Sequence, residues 1–173
     1  MKRGLLVVGL LWASPGCKLP AREIFEEPRV QRGAVVSEHP LATAAGLEIL
    51  RAGGNAADAA VATALALAVC LPRAGNLGGG GFAVCAGYRD EPQALDFREV
   101  APGGLHPELY FDEQGQFVPG RAVAGPLSIG VPGSPLGLHT LFQEKGSKRV
   151  SWAKVLEPAI DLARNGFEVD PWL

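Results

Sequence analysis

The chain has 173 residues, 47% of them hydrophobic and 20% charged, with a net charge of −2. That length allows one domain with a core of its own, and the balance is globular rather than disordered. No block of basic residues is present, which argues against nucleic acid as a partner.

Met1 to Cys17 reads apart from the fold. Lys2 and Arg3 precede a short apolar run, Gly4 to Trp12, and then Ser14-Pro15-Gly16-Cys17. The run is too short to span a bilayer as a helix. A small residue just ahead of a cysteine, behind such a run, resembles a bacterial lipoprotein signal. Residues 1–17 are therefore expected to be a signal segment, with Cys17 becoming the lipidated first residue after cleavage. A buried N-terminal strand does not account for charge followed by apolar residues. The expected location is outside the cytoplasm, periplasmic or held at a membrane by the lipid. Residues 18–32, mixed in charge and carrying Pro20 and Pro28, read as a tether. The folded part is expected to occupy residues 33–173.

Ala34-Val35-Val36-Ser37 predicts a short strand. A helix from Leu41 to Arg51 follows, with Pro40 suited to its first turn and Leu41, Ala45 and Ile49 forming an apolar stripe. Gly53-Gly54 should stop it, and Asn55 should cap a second helix, Ala56 to Cys70, with Asp58 in its first turn favouring the helix dipole. That helix is apolar nearly all round, so it belongs inside the protein, and its alanines allow close packing. After Gly78-Gly79-Gly80-Gly81, Phe82 to Tyr88 and Gln93 to Arg98 read as two strands joined by a turn. Phe111 to Phe117 reads as a hairpin or tight turn, and Ser128 to Gly137 as a loop with Ser134 as a turn or capping residue. Pro135 should open a helix to Lys145, stopped by Gly146. Ser151 should cap a last helix, Trp152 to Asn165, ended by Gly166, with a kink or fresh start at Pro158.

Few segments carry chemistry. Four consecutive glycines give up side-chain packing, so bare backbone must be needed there. A phosphate cradle does not fit, because a helix precedes, a strand follows and no Lys is in range. A tight passage approached by another backbone or a ligand fits better. In Asp96-Phe97-Arg98-Glu99-Val100-Ala101-Pro102, Phe97 should point opposite to Asp96 and Arg98. Arg98 could then hold a substrate carboxylate bidentately. On chemistry alone, an internal pair with Asp96 or Glu99 is favoured over that reading. His39, His106 and His139 fall in no metal or triad spacing and suit surface or capping roles. Thr43, Thr63 and Thr140 fall in predicted helices, and Cys70 and Cys85 in apolar runs that suit buried free thiols. No metal-ligand spacing, cofactor motif or nucleophile–base pair stands out.

Several segments taken in order resemble the γ-glutamyltranspeptidase family. They are Gly53-Gly54-Asn55-Ala56-Ala57-Asp58-Ala59-Ala60-Val61-Ala62, the glycine run ending in Gly79-Gly80-Gly81-Phe82, and Asp96-Phe97-Arg98-Glu99 with Ala101-Pro102 behind it. Gly130-Val131-Pro132-Gly133 and Pro158 to Phe167 complete the set. The resemblance implies an α+β fold, the N-terminal part of an αββα sandwich of the N-terminal-nucleophile hydrolase type. It implies a precursor that cuts itself in two, and a new N-terminal Thr that attacks γ-glutamyl amides such as that of glutathione. The acyl group would pass to water, an amino acid or a peptide, with no cofactor. It also places Arg98 where the family binds the α-carboxylate of the γ-glutamyl group, reversing the balance reached from chemistry alone.

The family's Thr-Thr-His segment is not among these residues. The expectation is therefore a fragment or truncated product that has no catalytic residue of its own and needs the small-subunit portion of the same precursor as its partner. A sheet cut partway should leave an exposed edge. Two alternatives stay open, an acylase that cleaves glutaryl or β-lactam side chains and a truncated non-catalytic binding protein.

Overall fold

The computed structural model of the protein describes residues 33–87 and 90–169. The signal segment with Cys17 and the tether lie outside them, as do Tyr88 and Arg89 of the expected strand and turn. Helix α1 (Pro40–Arg51) has Pro40 in its first turn, where a missing N–H costs nothing. His39 takes a capping role, its Nδ1 accepting from the Leu41 N–H at 3.2 Å. At the far end Gly53 adopts φ 94°, a left-handed turn that glycine enters without steric cost. This lets Gly54 N–H donate to Ile49 O at 3.0 Å and close the helix.

Helix α2 (Ala56–Cys70) has the bounds predicted for it. Asn55 Oδ1 accepts from Asp58 N–H at 3.0 Å while Asp58 Oδ2 accepts from Asn55 N–H at 2.9 Å, a reciprocal capping box. Asp58 goes beyond the dipole role expected of it. It is fully buried, and the same Oδ2 accepts the Ser147 N–H at 2.9 Å. Asn55 Nδ2 donates to Lys145 O at 2.6 Å. The first turn of α2 is thus fastened to the end of helix α4 (Ser134–Lys145), 90 residues away in sequence.

The remaining core follows from α2 being apolar all round. It packs against α1, α4 and helix α5 (Trp152–Asn165). Gly46 of α1 allows a close approach to α2, because a Cβ there would lie 3.2 Å from Ala59 O. Ile49, Val61, Leu65, Leu138, Phe142 and Val155 fill the space between the helices. Trp152 stacks edge-on to His139 at 5.1 Å. Ser151 caps α5 by accepting the Lys154 N–H, and Gly166 ends it at φ 76°. Pro158 lies inside α5, which runs on as one helix rather than starting afresh. Pro158 therefore removes one hydrogen bond without ending the element.

Strands β1 (Phe82–Cys85) and β2 (Gln93–Asp96) pair antiparallel, Phe82 opposite Asp96 and Val84 opposite Ala94. Ala83, Cys85 and Leu95 turn toward the helices, whereas Phe82 and Val84 are 64% and 74% exposed on the other face. Among the described residues the sheet has these two strands alone, so each has an unpaired edge. Both strands are shorter than expected. Residues 34–37 form no strand, because no described segment offers them a ladder partner. Phe111 pairs with Phe117 across a tight turn whose Gly115 has φ 72°, as expected. Helix α3 (Pro119–Val123) and two 3-10 turns, Pro107–Tyr110 and Pro126–Ser128, occupy a stretch for which no helix was anticipated. Cys70 is buried, and burial pushes its thiol pKa up. Cys85 is only half-buried, which corrects the expectation for that residue.

Asp58→Ala removes one acceptor from two backbone donors and breaks the box. The expected loss is about 2–3 kcal/mol of folding stability, to be read from the denaturant midpoint.

Candidate functional site

The glycine run, the end of β2 and the start of α4 converge. Gly79 O accepts from Gly133 N–H at 2.8 Å and from Ser134 N–H at 3.0 Å. Those two donors belong to the first turn of α4, whose opening has no side-chain cap. A carbonyl more than fifty residues back in the sequence therefore does what a capping side chain does elsewhere. Ser134 is the first helical residue rather than the cap, and its neighbour Gly133 takes the capping position.

The backbone approach expected at the glycines is present. A Cβ on Gly80 would lie 2.5 Å from Phe97 O and 2.6 Å from Arg98 Cα. At the same strand end, a Cβ on Gly133 would lie 2.8 Å from the Phe97 carbonyl carbon. The pairing of β1 and β2 continues past their ends, with Phe97 N–H donating to Gly81 O at 3.0 Å. Further on, a separate isolated bridge has Val131 N–H donating to Val100 O at 2.8 Å. Arg98 and Glu99 span the gap between these two tie points, pressed by Gly80 and Gly133.

Arg98 projects from this clamp toward solvent. Its side chain is 61% exposed, and its guanidinium carbon lies 5.9 Å from the centre of the Phe82 ring. Phe82 faces Asp96 in register, so Arg98 stands on the outer face of the sheet, opposite to Phe97 as predicted. The bland pairing is also partly there. Nη2 donates to Glu99 Oε1 at 3.5 Å, a long single contact between exposed groups. Such a pair is worth about 0–1 kcal/mol. Asp96 does not pair with the guanidinium. Its Oδ1 accepts the Arg98 backbone N–H at 3.0 Å. Among the described residues Glu99 is the one carboxylate within ion-pair distance of Arg98. Most of the guanidinium fork is thus presented to solvent in the geometry that carboxylates accept.

The other singled-out residues are not brought here. His39 caps α1, His106 precedes the turn at Pro107–Tyr110, and His139 packs on Trp152. Thr43, Thr63 and Thr140 lie within α1, α2 and α4, and the Thr63 hydroxyl is spent on Ala59 O at 2.8 Å. Among the described residues no group of three or more His, Cys, Asp or Glu is placed to hold a metal. Sequence reasoning missed Phe82 beneath the guanidinium and the part played by Gly133 and Gly137. Two glycines four apart at a helix start are the signal that one face of that helix meets something bulky.

Comparison with known proteins identifies the family. The family model for gamma-glutamyltranspeptidase matches residues 42–173. The chain belongs to that family. The glutathione hydrolase proenzyme of Escherichia coli is 40% identical over 148 residues, covering 86% of this chain and 25% of the relative. The Helicobacter pylori gamma-glutamyltranspeptidase structure superposes with a TM-score of 0.74 at 44% identity, over 79% of this chain and 39% of that one. The cephalosporin acylase from Bacillus halodurans superposes at 0.67 with 30% identity, over 94% of this chain and 29% of its own. The chain thus spans about a quarter of the curated relatives it matches. Its α+β fold is the N-terminal portion of the family's N-terminal-nucleophile hydrolase architecture.

The glycines differ in what surrounds them, and this can be measured. Gly78→Ala meets only Asn76 Oδ1 at 3.9 Å, whereas Gly80→Ala drives a methyl into the Phe97–Glu99 backbone. Gly78→Ala should stay within about 0.5 kcal/mol of the parent, and Gly80→Ala should cost about 1–3 kcal/mol by chemical denaturation.

Proposed function

We propose that these residues form the substrate-gripping part of an exported γ-glutamyltransferase or glutathione hydrolase, with Arg98 holding the α-carboxylate of the γ-glutamyl group. The observation that carries this is the guanidinium presented outward from a strand end that backbone contacts hold on two sides. A planar, always-charged fork suits bidentate capture of a small carboxylate. The names of the relatives support the substrate class, since curated proteins similar to this chain are glutathione hydrolase proenzymes.

Gripping is separate from cutting in this reading. The chain has three threonines, each within a helix, and no Thr-Thr-His segment. The nucleophile comes from the small-subunit portion of the same precursor, and these 173 residues alone turn over no substrate. The attacking Thr hydroxyl would form an ester with the γ-carbonyl as the amine leaves, and water or an acceptor amine would release the acyl group. Arg98 contributes placement of the acyl donor rather than any proton transfer.

A second reading has a specific observation behind it, the likeness to a cephalosporin acylase. A glutaryl side chain also ends in a carboxylate that Arg98 could hold. Assaying the full-length protein on γ-glutamyl and glutaryl amides side by side distinguishes the two. In that protein Arg98→Ala should lower kcat/KM on a γ-glutamyl anilide about 10- to 150-fold, the loss of a charge-assisted hydrogen bond of about 1.5–3 kcal/mol. Unchanged kinetics would remove the clamp. An in-frame Thr-Thr-His downstream of Leu173 in the gene supports the enzyme, and a stop codon there supports a non-catalytic binding protein instead.

The same proposal places the protein outside the cytoplasm, held at a membrane through a lipid on Cys17. Cys17→Ser should move the full-length protein from the membrane fraction to the soluble exported fraction. Retention in the membrane fraction would refute the anchor.

A further inference from the structure

Phe97 is the residue next to Arg98 that faces the interior. Its ring packs against the helical core in a slot with walls of bare backbone. A Cβ on Gly137 would lie 2.6 Å from Phe97 Cδ2, and one on Gly81 would lie 3.0 Å from Phe97 Cε2. The backbone of Phe97 is also engaged, its N–H donating to Gly81 O at 3.0 Å and its carbonyl crowded by Gly80 and Gly133. Two of these glycines flank β1, and two belong to the start of α4. No other residue of the strand end is held by both elements through ring and backbone together.

Side chains at adjacent strand positions leave on opposite faces. Rotation of Phe97 about the strand axis would therefore swing Arg98 by the same angle on the other face. The backbones of Gly81 and Gly137 lie close against the ring and leave it little room to rotate. Arg98, in contrast, has among the described residues a long contact to Glu99 and the Phe82 ring to steady its own side chain.

We propose that Phe97 is a positioning residue for the Arg98 clamp, with Gly137 of α4 as the partner that shapes its slot. This rests on the reading of Arg98 as the carboxylate clamp. Phe97 touches no substrate and acts only through the direction in which Arg98 points. A misplaced clamp weakens substrate capture while leaving the chemistry at the nucleophile intact once substrate is bound.

The experiment is steady-state kinetics of the full-length, processed protein on a γ-glutamyl anilide. The variants are Phe97→Ala, Phe97→Leu, Gly137→Ala and Arg98→Ala, with the two Phe97 changes also made on the Arg98→Ala background. KM does not depend on the fraction of each preparation that is folded, so a variant that folds poorly still reports. Phe97→Ala and Gly137→Ala are expected to raise KM about tenfold with kcat within about twofold, and Phe97→Leu should recover part of the loss. On the Arg98→Ala background the Phe97 changes should leave KM where Arg98→Ala alone put it. An unchanged KM in Phe97→Ala and Gly137→Ala overturns the proposal, as does a KM effect that persists in full without Arg98. If Arg98→Ala itself leaves KM unchanged, the clamp reading fails and this inference fails with it. A KM rise in Arg98→Ala with none in the Phe97 and Gly137 variants sinks this inference alone.

Discussion

The structure around Arg98 depends on close approach of backbone to backbone. Gly79, Gly80 and Gly81 pass between the end of β2 and the start of α4, the Gly79 carbonyl accepting from the helix and the Gly81 carbonyl accepting from Phe97 N–H at the strand end. Any side chain at Gly80 or Gly133 would occupy space already held by Phe97 and Arg98 main-chain atoms. Three segments distant in sequence are thus locked at a spacing that only glycine permits. The conformational entropy lost in ordering four glycines is offset by contacts that no side chain could make.

A second fastening sits at the opposite end of α4. There the buried carboxylate of Asp58 serves two backbone donors with one oxygen, and Asn55 holds the Lys145 carbonyl. With the Gly79 carbonyl at its start and the Asn55–Asp58 pair at its end, α4 is tied at both ends through main-chain groups, in addition to the core packing of Leu138 and Phe142. This matters for Arg98 because Gly133 and Gly137 of that helix region bound the neighbour Phe97. A chain of direct contacts thus runs from α2 through α4 to the strand end.

The outer face of the sheet has a different character. Phe82 and Val84 are apolar and exposed, and Arg98 stands beside Phe82. Desolvation strengthens a guanidinium–carboxylate contact, and an apolar neighbour such as Phe82 reduces competing hydration on one side. The arginine is therefore firmly held at its backbone and lightly held at its tip. That combination suits a group whose partner arrives from outside the chain.

Much of this was legible in the sequence because the signals were local. Asn55 three residues before Asp58, Gly53 after an apolar stripe, and Ser151 ahead of Trp152 each specify a helix end through neighbours within one turn. They set α2 and α5 to the residue. The motif order around Asp96-Phe97-Arg98-Glu99 pointed to the family in the same way. The short strand expected at 34–37 failed because a strand needs a partner, and propensity does not supply one. Sequence determined that bare backbone was required at the glycines, that Phe97 and Arg98 face opposite ways, and that Arg98 is the candidate clamp. Only the tertiary structure decided what the glycines admit, that Gly79 caps α4, that Asp58 spans to Ser147, and that the guanidinium lies against Phe82. Those contacts join residues on different elements of the chain, and no local pattern encodes the distance between them.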